Sequence, residues 1–159
     1  LGLPTVVIGL LVYGLISRRG PLGGMDLLFS PPAIVIGLSV LAFPIAAVYG
    51  MAAVAAVDAR ARETALTLGA SPPRAAWAVV REARFGMAAA VLGAFGRVAS
   101  EVGIAMMLGG NIEGHTRTLT TAIALESMKG EFGFGIALGT VLMAVVVAVS
   151  FLARIFQRP

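Results

Sequence analysis

Apolar positions along this chain gather into four blocks separated by three polar connections. Residues 1–17 are apolar but short, and Pro4 and Gly9 interrupt them. A membrane-spanning helix needs about 20 residues to cross a hydrocarbon core of about 30 Å. This block therefore reads as the end of a helix that begins upstream, in keeping with a chain that opens on Leu1 rather than Met. Residues 33–57 carry no charge, with Pro44 near their centre. That proline removes one helical hydrogen bond and predicts a kink, which a membrane bundle tolerates when neighbours satisfy the freed carbonyl. Residues 85–110 are apolar except for Arg97, Ser100 and Glu101, and residues 135–153 have only Thr140 and Ser150 as polar side chains. The pattern predicts an all-α, polytopic membrane helix bundle. Residues 1–159 form one transmembrane domain, lacking its N-terminal part, with residues 58–84 as an insert within it.

Composition agrees with lipid as the main solvent. The chain is 58% hydrophobic and 13% charged, against about 25% charged in soluble domains, and its mean hydropathy is +0.95. It has no cysteine and a single histidine, His115, which excludes disulfides, thiolate metal sites and paired-histidine zinc motifs. Residues 1–17 lack the basic start of a signal peptide. The net charge of +4 is scattered and not interleaved with aromatics, which argues against nucleic acid as a partner.

Arginine and lysine set the expected orientation, because basic residues concentrate on the cytoplasmic side. Four spans put the insert and the C-terminal tail on one side, with Arg60, Arg62, Arg74, Arg81, Arg84, Arg154 and Arg158. The other side holds Arg18, Arg19, Arg117 and Lys129. The balance places the insert and the C-terminus in the cytoplasm, with Arg18 and Arg19 against it.

Within the insert, Asp58 suits a helix N-cap and residues 59–68 are good helix formers. Gly69 sits where a helix would end in a left-handed cap. Ser71 and Pro72 then read as the N-cap and first residue of a second helix, with Trp77, Val79 and Val80 on its apolar face. The insert is thus two short helices joined by a Gly-Ala-Ser elbow. It is either an ordinary loop between spans or a knob that docks a soluble partner.

Arg97 and Glu101 lie four residues apart near the middle of the third span, with Ser100 and Gly93 close by. On a continuous helix they would share one face. A charge at the bilayer centre costs about 2.5–3.5 kcal/mol on insertion scales, so the pair is expected to face the bundle interior or a watery path. It serves either as a structural ion pair or as part of an anion pathway, with Glu101 holding and partly neutralising Arg97. Glycines 86, 93 and 96, with Ala90 and Ala94, suit close helix packing. The connection 111–134 is rich in Thr and Gly, with Thr116 expected to cap a short helix running to Met128. It reads as a solvated loop and interfacial helix, or as a contact surface built on Asn111, Glu113 and Arg117. His115 is expected to be exposed.

The segment Glu63-Thr-Ala-Leu-Thr-Leu-Gly69 resembles the EAA-x3-G motif of type 1 ABC importer permeases, with Thr64 in place of the second alanine. Where that family has I-x-L-P further on, this chain has Val79-Val80-Arg81-Glu82, without the proline. Residues 3–9 and 17–23 resemble the middle of molybdate and tungstate permeases. Ser100-Glu-Val-Gly103 and residues 109–126 are most similar to the tungstate-type branch. The resemblance implies an ATP-driven importer for an oxyanion, tungstate or molybdate, in a prokaryotic inner membrane. It implies a homodimer with the path along its two-fold axis, and the spacing of Arg97, Ser100 and Glu101 makes them the candidates to line that path. It implies a separate ATPase, docked on Glu63, Ala65, Gly69, Ala70 and Ser71, and an extracytoplasmic binding protein touching Asn111, Glu113 and Arg117. ATP and Mg would belong to the ATPase, leaving this chain with no catalytic residue, metal site or cofactor of its own. No Walker motif or paired-carboxylate arrangement is present in the sequence. An ion-coupled secondary transporter with Glu101 as a proton site, and a membrane scaffold that transports nothing, are the alternatives from other classes.

Overall fold

A computed structural model describes residues 4–156. Of the basic residues weighed for orientation, Arg158 lies outside the described residues, as does the side chain of Arg154. The described residues are all helix and connection, without strands. The helices are α1 (Thr5–Ile16), α2 (Pro31–Ala55), α3 (Ala59–Thr67), α4 (Pro72–Glu82), α5 (Arg84–Ala99), α6 (Gly103–Gly109), α7 (Leu119–Lys129) and α8 (Phe132–Phe156), with a 3-10 turn at Gly23–Met25.

Two helices are long and apolar enough to cross a membrane, α2 over Pro31–Ala55 and α8 over Phe132–Leu152. The paired prolines Pro31 and Pro32 start α2, where a missing N–H has no partner to lose. The helix then runs through Pro44 without ending. At 12 residues, α1 rises only about 18 Å and does not span by itself. Its face Ile8, Val12 and Ile16 packs instead on Ile104 and Leu108 of α6 and on Ala33 and Leu41 of α2. That cluster is the core of the chain. Elsewhere large apolar side chains such as Phe43, Ile136 and Met143 point outward, as lipid permits and water does not.

The predicted third span, 85–110, is corrected by the structure. It is two helices, α5 and α6, bent by 67° at Ser100–Val102. Arg97 and Glu101 therefore do not share the face of one helix; Arg97 lies in the last turn of α5 and Glu101 in the break. At the break Ser100 donates its hydroxyl to the carbonyl of Arg97 at 3.0 Å. Both halves run antiparallel to α2, with α6 against its first half and α5 against its second.

Two closures fix the ends. Phe29 donates its backbone N–H to the carbonyl of Leu108 at 2.8 Å, so the 17–30 connection is clasped to the end of α6. After α6, Gly110 and Asn111 turn the chain with φ of +70° and +51°. The expected cap at Thr116 is also corrected: α7 begins at Leu119, capped by Thr118 in a reciprocal capping box with Thr121, and it runs to Lys129. Thr116 is buried and closes the loop instead, donating to Gly109 at 2.5 Å and accepting from Ile112 at 2.9 Å. Gly130, with φ of +84°, ends α7 and folds it back on α8.

Gly37 is the tightest helix contact with the core. A Cβ there would press on Leu108 and come within 2.6 Å of Ile104, whereas one at Gly50 would meet nothing. Gly37→Val should lower thermal stability in detergent by about 1–3 kcal/mol, the usual cost of overpacking. Gly50→Ala should leave the melting temperature unchanged or raise it. Equal behaviour of the two variants in a thermal unfolding assay would contradict this packing.

Candidate functional site

Three groups of residues stand out, at the two ends of α2 and at the break between α5 and α6. The break is the most tightly organised. The Glu101 side chain is 6% exposed and that of Arg97 is 47% exposed. One Glu101 oxygen, Oε2, accepts from Arg97 Nη1 at 3.3 Å. The other, Oε1, accepts from the backbone N–H groups of Gly103 and Ile104 at 3.2 and 3.4 Å. These are first-turn donors of α6, which have no intrahelical partner, and a carboxylate at a helix N-terminus is also favoured by the macrodipole. Glu101 is thus a cap and a counter-ion together. Ser100 is exposed. Behind Glu101 lies a cavity of about 280 Å³, lined in part by Leu38, Phe95, Ala105, Leu119 and Thr120. The pairing expected from the sequence is present, and its setting is a capped break rather than a helix face.

One participant has no motif to announce it. Thr120 of α7 is buried and donates its hydroxyl to the backbone carbonyl of Glu101 at 3.1 Å. Only the proximity of α7 to the break reveals this contact, since 19 residues separate the two in sequence.

The insert has the elbow that its sequence predicts. Asp58 caps α3 by accepting from Arg60 N–H at 2.9 Å. Gly69 has φ of +85°, a conformation that L side chains adopt at a cost. Gly69 N–H bonds to Leu66 and Ala70 N–H to Ala65, both at 3.0 Å. This pair of bonds is the Schellman closure of a helix end. Ala65 and Ala70 thus define the turn through their backbones. Ser71 holds the N-cap position of α4 without a side-chain cap bond. Glu63, Gly69 and Ser71 are exposed, while Ala65 and Ala70 are half-buried. Ala75 is fully buried in the insert. Lacking the family's proline, α4 continues through Arg81 and Glu82, and only Ala83 separates it from α5. Two large apolar side chains are left in the open, Leu68 at 82% and Trp77 at 68% exposure. Leu68, beside the elbow glycine, escaped the sequence reading because a leucine in a helix suggests core.

At the opposite end, Arg117 and Glu113 pair at 3.3 Å. Asn111 Oδ1 and Arg117 Nε are buried without a hydrogen-bond partner. Asn111, Glu113 and Arg117 therefore share one short loop, and His115 is exposed as expected. The clasp of Phe29 to Leu108 brings this loop beside the 17–30 connection. There Arg18 meets Asp26 at 3.7 Å, and a cavity of about 690 Å³ opens, lined by Tyr13, Arg18, Arg19 and Phe29 among others.

Removing Glu101 should expose its two roles separately. Glu101→Gln keeps an acceptor for the α6 N–H groups and drops the counter-charge. Glu101→Ala loses both, and losing a helix cap costs about 0.5–2 kcal/mol. Thermal melts in nanodiscs should rank wild type above Glu101→Gln and Glu101→Ala lowest. Identical melts for the two variants would mean that the cap contributes nothing.

Residues 1–158 match the family described as binding-protein-dependent transport system inner membrane component. The chain is 43% identical to a probable anion ABC transporter permease protein of Haloferax volcanii, over 99% of this chain and 70% of that one. It is 40% identical to the tungstate uptake system permease protein TupB of Campylobacter jejuni, over 99% of this chain and 66% of the relative. To the molybdenum transport system permease protein ModB of Escherichia coli it is 30% identical, over 82% of this chain and 62% of the relative. The chain thus spans roughly two thirds of the length of these relatives. No solved structure matches it. With a family match across nearly its whole length, apolar spanning helices and the glycine elbow between them, the chain belongs to the binding-protein-dependent transport system inner membrane components, the permease subunits of ABC transporters.

Proposed function

We propose that this chain is the permease subunit of an ABC importer for a tetrahedral oxyanion, tungstate or molybdate. Two copies would enclose the path, and each would dock one copy of a separate ATPase. An extracytoplasmic binding protein would deliver the anion. The names of the tungstate and molybdenum relatives support the substrate class.

The observation that carries the anion reading is Arg97. Its guanidinium is half-exposed at a break in an apolar span. Left against lipid, such a charge is costly. A water-filled path, with a second copy across it, satisfies it. Glu101 uses one oxygen on Arg97 and the other on α6, so Arg97 keeps N–H donors for a passing oxyanion. Ser100, exposed beside it, would add a hydroxyl. Partial neutralisation by Glu101 lets the anion bind weakly enough to leave.

The elbow Glu63–Ser71 would be the docking knob for the ATPase, on the cytoplasmic side, with Leu68 as an apolar contact at its tip. ATP and Mg would be held by that partner. Because α4 passes into α5 through Ala83 alone, movement of the docked knob would reach the break directly along α5. The loop with Asn111, Glu113 and Arg117 would meet the binding protein on the other side. Glu113 and Arg117 pair with each other there, so reversing one charge breaks that pair as well as any contact with the partner.

Gly69→Val should prevent the ATPase from co-purifying, since a β-branched residue is strained at this positive φ and no neighbour obstructs its side chain. Glu63→Lys should weaken the same complex. Arg97→Ala should abolish tungstate and molybdate uptake by proteoliposomes holding the full-length permease, its ATPase and the loaded binding protein, with the ATPase still docked. Retained uptake by Arg97→Ala would remove the path assignment, and an ATPase that stays bound to Gly69→Val would remove the docking assignment.

A further inference from the structure

We propose that Thr120 is a positioning residue for Arg97, acting through Glu101; this rests on the oxyanion-importer reading above. Thr120 and Glu101 are both buried polar residues in a largely apolar chain. The hydroxyl of Thr120 donates to the Glu101 carbonyl at 3.1 Å, at the point where the chain has left α5 and has not entered α6. A carbonyl in such a break lacks a helical donor, and Thr120 supplies one.

The proton accounting extends the contact outward. With its proton on Glu101, Thr120 can only accept from Thr118, whose oxygen is 2.9 Å away. Thr118 in turn accepts the N–H of Thr121 at 3.3 Å as the cap of α7. The hydroxyls thus form a directed chain, Thr118 to Thr120 to Glu101. Arg117, of the outer loop, directly precedes Thr118.

The inward half is the Glu101 carboxylate. Gly103 and Ile104 hold one oxygen and Arg97 holds the other. With its carbonyl fixed by α7 and its carboxylate fixed by α6, Glu101 has little freedom to turn. The guanidinium at the end of α5 is therefore oriented by whether α7 is seated. Thr120 touches no substrate, and its effect on transport passes through Glu101 to Arg97. A seated α7 and a correctly aimed Arg97 are then one state of the break, while the 111–117 loop keeps its own closure through Thr116.

The test uses proteoliposomes holding the full-length permease, its ATPase and the loaded binding protein. Thr120→Val removes the hydroxyl and keeps the shape, and Thr120→Ser keeps the hydroxyl. Thr120→Val should lower the maximal rate of tungstate uptake about two- to tenfold, the range one hydrogen bond carries. The binding-protein concentration giving half the maximal rate should stay at its wild-type value, because the outer contact surface is untouched. Thr120→Ser should return the rate to within about twofold of wild type. In an Arg97→Lys background, Thr120→Val should cause no further loss. If Thr120→Val fails to assemble with the ATPase, the same comparison runs between Thr120→Ser and Thr120→Cys, whose thiol is a weak donor. An undiminished rate, a serine variant as slow as the valine one, losses that multiply with Arg97→Lys, or a shifted half-saturation would each overturn the proposal. Wild-type proteoliposomes that import no oxyanion would instead remove the importer reading and this inference with it. Normal wild-type import with an unaffected Thr120→Val would remove the inference alone.

Discussion

The carboxylate of Glu101 is the constraint on which the arrangement depends. Breaking a membrane helix frees backbone donors and acceptors, and a buried site offers no water to take them. Glu101 answers the donors at the start of α6 and Thr120 answers the carbonyl of Glu101 itself. With these bonds the 67° bend becomes tolerable, and a charged pair can sit inside a span. Without them the donors at the start of α6 and the carbonyl of Glu101 would lack partners, and the bend would cost stability.

The bend also explains the uneven distribution of the core. Ile104 and Leu108 are fully buried because α6, turned from the line of α5, reaches α1 and the first half of α2. Gly37 lets the helices approach there, at a distance that any larger residue would disturb. In contrast α8 presents large apolar side chains to its surroundings along most of its length. In lipid this is a surface like any other, since the hydrophobic effect no longer separates inside from outside and close packing decides which helices associate.

The ends of the bundle follow from backbone chemistry. The elbow after α3 is closed by two carbonyls and a glycine at positive φ, so its own backbone sets its shape. The loop after α6 is closed by a buried threonine and the clasp to Phe29. The capped break lies between these two closures along the chain.

Taken alone, the sequence determined what short-range rules govern. Long apolar runs predict α2 and α8, because lipid accepts only backbones that satisfy themselves locally. Asp58, Gly69 and Ser71-Pro72 predict the elbow, because caps and left-handed glycines act over one helical turn. The resemblance carried by Glu63 to Gly69 gave the family. Apolar runs do not register a break such as that at Ser100, since the residues on both sides are equally apolar and the freed groups are answered by Glu101 and Thr120. Thr116 reads as a cap in the sequence, but its burial against Gly109 takes it out of that role, and Thr118 caps α7 instead. The tertiary structure alone determined that Thr120 meets Glu101, that α1 packs on α6, and that Arg97 remains half-exposed. The first two are contacts between segments far apart in the chain and the third is what the packing leaves open, all set by how helices fit together rather than by any local pattern.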